Sequence, residues 1–419
     1  MVLSTGANAA LGFLSGILLV TGLAQDEYGL VSSALAVFLV AQEFVGRGIN
    51  DSMMSLGTLA AAGSRDRSNE IFRAGLLLKA LVALAFFAVL RCVPQLVVKP
   101  LGRPELAAAF PGVAAAVAGF ALWSFILTRR QASLEFGALA AVQPINNALR
   151  VGLLILFVAF GALTWTRAIW ILAGSMIVSA LAVGARDWLE IARLRWTTKR
   201  VAAAAAEVWR YGGWNMVAAI AFVAYTRMDV FVLTRRLASS DVAVYNAAWQ
   251  VLTSVDLAGV AIMTVMIPKV CHMRHREDFV SWMARSLRLS AMVALLSLPL
   301  PLLADWYVPL LFGTEYAASA ALVRNLYWGS LIAQAVFPLI GILYATRSFR
   351  TIAAIHVTLL AASVPSYELA VKAGGVAGAA WTTVAMRVAC SALLFAAVLR
   401  RVLQAPRRDS AESPVVQNP

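Results

Sequence analysis

A small set of ionisable residues stands inside long apolar stretches, and these are the groups whose types and positions could do chemistry. The cations are Arg47, Lys79, Arg150, Arg227, Arg324 and Arg387, and the acids are Glu43, Asp229 and Asp256. At bilayer depth a charged side chain costs at least about 2.5 to 3.5 kcal/mol, so it normally faces a partner or a watery cavity. Three of these residues fall together in the stretch from Tyr211 to Lys269, where two apolar runs flank a short polar turn and contain Arg227, Asp229 and Asp256. Arg227 and Asp229 admit two readings: an ion pair that only fixes packing, or a cavity cation with its acidic modulator. Asp256 lies near the middle of its run, close to Gln250, Thr253 and Ser254. A carboxylate at that depth could take up and release a proton or a sodium ion, or could simply pair with Arg227. Glu43, beside Gln42, is the corresponding acid of the first half, nearer the end of its run. Arg47 and Lys79 stand close enough to run ends for their long stems to carry the charge to the headgroups.

Such residues need elements that hold them at depth. The chain has 419 residues, 61% of them hydrophobic and 13% charged, with a mean hydropathy of +0.79. A soluble domain is roughly 45–50% apolar and about 25% charged, so the composition is that of an all-α membrane protein. A crossing helix takes about 20 apolar residues. Twelve segments qualify, at 3–24, 28–50, 71–93, 105–128, 138–161, 166–186, 211–234, 243–267, 282–304, 318–345, 351–371 and 376–400. Met1 to Ala24 has no Lys or Arg ahead of its apolar run, so it reads as a first span and not as a cleavable signal. No connection is long enough for a soluble domain. The longest are the basic linker 187–210 and the segment Asp51 to Glu70. The organisation expected is a six-helix lobe over 1–186, the linker, a second six-helix lobe over 211–401 and a disordered tail over 402–419.

The net charge is +14, and its distribution accounts for it. The second connection and every alternate one after it, with the tail, hold about three times as many Lys and Arg as the remaining connections, which predicts both termini to be cytoplasmic. Membrane lipids, not nucleic acid, are the polyanions such loops meet. Cys92, Cys271 and Cys390 are far apart and show neither a disulfide nor a C-x-x-C pattern. His272 and His275 lack the further ligands a metal would need, so no metal is expected. Gly374 and Gly378 have the small-xxx-small spacing of close helix packing, and tryptophans such as Trp165, Trp170, Trp188 and Trp306 cluster near span ends as interfacial anchors do. The absence of a P-loop, a G-x-S-x-G and an H-E-x-x-H argues against an enzyme.

The two halves match weakly but in order. LAQDEYGLVSSALAV falls on LASSDVAVYNAAWQV, LGRPELAAAF on FGTEYAASAA, and LTRRQ on ATRSF, each at an equivalent span boundary. On these stretches the chain resembles the polysaccharide-type flippases, exporters of lipid-linked O-antigen and exopolysaccharide repeat units. The turn AQDEYGLVSSALAV is similar to the opening of their first lobe and RMDVFVLTRRLASSDVAVYNAAWQV to the start of their second. LLFGTEYAASAALVRNL is similar to their ninth loop and tenth span, and GGVAGAAWTTV to the start of the twelfth. There are departures: Ala243 stands where the second-lobe turn usually has glycine, Arg47 sits in a turn that is often acidic, and the usual polar lead-in to the first span is missing.

The resemblance implies two six-helix bundles in a V, related to the multidrug and toxin extruders, around a cavity that opens alternately to each side. It also implies a cargo: an oligosaccharide on a polyprenyl diphosphate, carried across the bacterial inner membrane, with other polysaccharide assembly proteins as possible partners. Arginine suits a diphosphate because its planar fork stays charged and binds phosphate oxygens in two places. Arg47, Arg150, Arg227 and Arg324 are then the cavity candidates, while Arg387, in a span peripheral in the family fold, is the weakest. Asp229, Asp256 and Glu43 are the ion-coupling or charge-pair candidates, with proton or sodium coupling and no cofactor. Two rivals remain: a cation-coupled multidrug extruder, which would want acids in the cavity, and a membrane glycan polymerase or ligase, which would want a large outer loop.

Overall fold

The structure is a computed structural model and describes residues 2–133, 135–193, 198–270, 273, 275–346 and 348–406. The tail from 407 onward, His272 and the side chain of Ser254 lie outside the described residues.

Among the described residues every regular element is helical. The first half runs α1 (Val2–Gly22), α2 (Gln25–Val45), α3 (Arg47–Gly63), α4 (Arg65–Cys92), α5 (Gln95–Leu101), α6 (Phe110–Ala132), α7 (Phe136–Ala159) and α8 (Trp165–Val183). The linker contributes α9 (Ala185–Arg193). The second half runs α10 (Thr198–Thr226), α11 (Met228–Arg236), α12 (Ser239–Val270), α13 (Arg276–Ser297), α14 (Pro299–Leu302), α15 (Ala304–Phe312), α16 (Ser319–Val336), α17 (Ile340–Ala345) and α18 (Phe349–Gln404). Three pairs, α2–α3, α10–α11 and α16–α17, are single crossings with a break. The long α18 is two crossings that meet at Gly374 and Gly375, where Gly375 takes the positive φ of +54° that glycine tolerates. Among the described residues nine helical segments are long and apolar enough to cross a membrane, the bent α18 counted once, and α1 is a shorter apolar helix; the chain is a multi-pass membrane protein.

The breaks and starts have local causes. Pro338 brings no backbone N–H to the helical ladder, and the chain takes a 3-10 turn over Phe337–Leu339 between α16 and α17. Ser64 and Thr164 cap α4 and α8 by accepting from the N–H three residues on. The linker is not an open loop: α9 is helical and α10 is already helical from Thr198, so the crossing expected from 211 begins as a helix a good three turns earlier. Likewise the connection expected after Asp51 is mostly helix, because α3 continues to Gly63. Asp187 anchors α9 to the end of α6 through Arg129 at 3.2 Å and Arg130 at 2.7 Å. The glycine pair also differs from its expected use. Gly374 belongs to the turn with open space around it, and Gly378 alone packs tightly, against the Ala370 carbonyl.

Within the first half α6 lies against α8 and α4, and α1 against α7; within the second, α18 covers α10, α11 and α16, while α16 lies on α12. The halves meet along α2 with α12 and along α3 and α4 with α10. At the end away from the linker, Gly29 lets α2 touch the Ser239 carbonyl and Ser33 shares a 2.7 Å hydrogen bond with Thr234. There Arg103 donates to the carbonyls of Thr234, at 3.0 Å, and Leu237, and Tyr28 meets Tyr316 edge-on. At the linker end Gly48 and Gly212 allow α3 and α10 to cross in contact, and Asn215 donates to Asp51 at 2.5 Å. The halves therefore touch on both sides of a middle layer.

Candidate functional site

Between these two closures lies a cavity of about 310 Å³. Its wall comes mostly from the second half: the end of α10, the break at Arg227, the middle of α12, the end of α16 and the last crossing, with Arg47 reaching in from α3. The charged lining is Arg47, Arg227, Arg387 and Asp256.

Arg387 and Asp256 form one unit. Arg387 donates from both terminal nitrogens to the two Asp256 oxygens, at 3.0 and 2.8 Å, and to Ser330 at 3.0 Å. Its guanidinium lies 4.3 Å from the centre of the Trp249 ring, a cation–π contact that fixes the plane of the fork. Of the two readings open for Asp256, pairing with Arg227 is not what the structure shows; its partner is Arg387. Arg387 lies on the cavity face of its helix, because the last crossing turns that face toward α12 and α16; its placement at the periphery is corrected too.

Arg227 is in the opposite condition. It occupies the one residue between α10 and α11, with φ −110° and ψ 2°, so the helix is interrupted where the guanidinium emerges. Among the described residues it makes no side-chain hydrogen bond and no ion pair within 4 Å, while it lines the cavity. The adjacent Asp229 does not supply a salt bridge. It is fully buried and accepts from the Tyr245 hydroxyl at 2.7 Å and the Val230 N–H at 2.7 Å. Tyr245 in turn shares a hydrogen with Thr383 at 2.8 Å, and Thr383 with Tyr367 at 2.9 Å. A sealed chain of hydroxyls thus ties α11, α12 and both crossings of α18 together behind the cavity wall.

Arg47 is exposed although its neighbours are protein on most sides, because the surface it presents is the cavity. Glu43, one helical turn earlier, and Asp51, one turn later, balance its charge, and the Tyr344 hydroxyl of α17 reaches it from the other half. The remaining candidates lie outside this cavity. Arg150, on α7, donates to Asn147 at 2.9 Å, and Asn147 to Asn8 at 2.6 Å, which places it at the α1–α7 seam. Arg324 is half-buried in the second turn of α16 and pairs with Asp305 at 2.5 Å. Lys79 does not reach the headgroups: it is fully buried and donates to the Val45 carbonyl at 2.5 Å and to Ser124 at 2.7 Å. Arg387 and Trp249 carry no such signal in the sequence: an Arg on the last span, 19 residues beyond Glu368, the nearest acid along the chain, gives no linear sign of the pair it makes with Asp256.

A family model described as "Polysaccharide biosynthesis protein" matches residues 21–321. A search of the curated proteins returned no match. Among solved structures, the lipid II flippase MurJ in an inward closed conformation is similar, with a TM-score of 0.76 at 12% identity over 96% of this chain and 89% of that one. An inward-facing multidrug resistance transporter of the MATE family, in the MOP superfamily, has a TM-score of 0.73 at 13% identity over 94% of both chains. A MOP superfamily transporter from Pyrococcus furiosus, for which reverse polarity of the binding pocket suggests a different function, has a TM-score of 0.64 at 12% identity over 96% of this chain and 95% of that one. At such identities the likeness establishes the fold, which this chain shares with these transporters.

Proposed function

The chain belongs to the polysaccharide biosynthesis protein family, and from that premise we propose that it is a secondary flippase. Its cargo is a polyprenyl-diphosphate-linked oligosaccharide, carried from the cytoplasmic to the outer face of a bacterial inner membrane by alternating access, for surface polysaccharide biosynthesis. The observation that supports this reading most directly is the unpaired Arg227 in a cavity between two lobes. An arginine held at membrane depth with no ion pair within 4 Å is a standing site for an anion, and a diphosphate supplies the charge and the oxygens to which its fork donates. Arg47 lines the same cavity from the other lobe and provides a second, partly balanced cation. Arg387, already neutralised by Asp256 and held over Trp249, is suited to the less charged part of the cargo.

Asp229 and Asp256 remain the candidates for coupling to a proton or sodium ion. Each would have to exchange a present partner, the Tyr245 hydroxyl or the Arg387 fork, for the ion. The basic loops favour the orientation with both termini in the cytoplasm, the division into lobes falls in the basic stretch 187–210, and other polysaccharide assembly proteins are the natural partners. The shared fold with a multidrug transporter supports a second reading, a cation-coupled drug extruder. Three arginines against one acid in the cavity lining disfavour cationic drugs.

The test is made in cells lacking the gene, with the surface polysaccharide and the sidedness of its lipid-linked precursor as readouts. Loss of surface glycan with precursor held on the cytoplasmic face, restored by the wild-type chain and not by Arg227→Ala, is expected. An unchanged precursor distribution overturns the proposal, and altered drug susceptibility in its place moves the assignment to the extruder.

A further inference from the structure

Lys79 has no part in the cavity, yet it is one of the most fully enclosed side chains in the molecule. Among the described residues it forms no ion pair; its ammonium nitrogen meets only the Val45 carbonyl, at 2.5 Å, and Ser124, at 2.7 Å. Val45 is the last residue of α2, and Gly46, with φ −95° and ψ −112°, separates α2 from α3. The last four carbonyls of a helix have no partner within it and carry the negative end of its dipole. Inside a membrane, water is absent and cannot meet them. A broken helix end and a buried cation are each unfavourable there, and in this place each satisfies the other. Ser124, which donates onward to the Ala121 carbonyl at 3.4 Å, fixes the lysine to α6, so three helices of the first half converge on the break. Gly46 fits because a side chain there would press on the Gln42 carbonyl at 2.8 Å and the Phe120 ring at 3.3 Å.

Arg47 is the residue immediately after the break and reaches the cavity from it. We infer that Lys79 is a positioning residue: by capping α2 at Val45 it holds the second crossing broken and so keeps Arg47 in the cavity. A continuous helix through Gly46 would rotate and shift α3 relative to α2 and take Arg47 away from Arg227 and Arg387. The importance of that placement for transport rests on the proposed flippase function; the geometric claim does not.

The experiment separates the two. Spin labels at Asp26→Cys and Leu59→Cys, both at exposed positions on either side of the break, report the bend of the second crossing by pulsed dipolar spectroscopy in a background free of native cysteines. Export is read from surface polysaccharide in cells lacking the gene. Lys79→Met, which keeps length and removes the donor, is expected to lengthen the label distance and to lower export at least tenfold. An unchanged distance overturns the inference whatever export does. A changed distance with normal export also overturns it, since the bend would then not serve Arg47. Where Lys79→Met does not accumulate, Lys79→Gln, whose amide falls short of Val45, is measured in its place; the same lengthening is expected, and its absence is equally decisive. Arg47→Ala is the control for the function itself: normal export there, with the Lys79 distance change intact, removes the flippase site and leaves the helix cap standing.

Discussion

The two halves of the molecule both carry cations in apolar spans, and they dispose of them differently. In the first half Lys79 is enclosed and bonded to a carbonyl and a hydroxyl, and Arg150 is packed at the α1–α7 seam against an asparagine that is itself bonded to another. In the second, Arg387 faces the cavity from within a tight acid pair and Arg227 faces it with no ion pair within 4 Å among the described residues. Depth is therefore not what marks a functional charge. What marks it is bonding capacity pointed at open space, because a cation packed among helices presents no donor to a ligand, while one at the cavity surface favours any anion that can enter. The acids show the same contrast: Asp229 is sealed among hydroxyls, and Asp256 stands at the cavity surface.

The comparison breaks most visibly at Arg227. Arg227→Ala is expected to reduce export at least about tenfold, equivalent to about 1.4 kcal/mol of lost stabilisation, with the protein still present in the membrane by immunoblot; Arg150→Ala in parallel is expected to leave export near wild type. Equal losses in both would erase the distinction between cavity-facing and packed cations. Next comes the sealed network. Asp229→Ala leaves the Tyr245 hydroxyl with one partner fewer in a fully buried place, and a thermal unfolding scan in detergent should show a loss of about 1–3 kcal/mol. A midpoint equal to wild type would mean that the carboxylate is not structural.

A smaller change is expected from Asp256→Asn, which keeps shape and removes the charge that neutralises Arg387. The cavity becomes more cationic, so binding of inorganic pyrophosphate, followed by calorimetry on the purified protein, should tighten severalfold; weaker binding would show that Asp256 orients Arg387 more than it opposes the ligand. The least effect belongs to Arg324→Ala. Its pair with Asp305 is solvent-exposed, and such pairs contribute about 0–1 kcal/mol, so both the unfolding midpoint and export should stay unchanged. A clear loss of export would return Arg324 to the transport path.

Much of this was legible in the linear chain for a physical reason. Crossing a bilayer demands about 20 apolar residues in a row, so crossings can be counted from composition alone, and charges inside them stand out against it. The multi-pass helical class and the identity of the charged residues inside apolar runs follow from that. Boundaries such as 51–70 and 187–210 were harder, because polar residues on amphipathic helix ends read like loops. Which charges pair was not legible at all. Asp256 and Arg387 lie 131 residues apart and meet only because α12, α16 and the last crossing enclose one space. Lys79 and Val45 meet because α4 passes the end of a helix whose break no residue except Gly46 announces. The sequence by itself determined how many helices the membrane must hold and which charged side chains they carry inward. The tertiary structure decided which of those charges are satisfied, since hydrogen bonds and ion pairs act over a few ångströms and depend on the helix faces that packing turns toward one another.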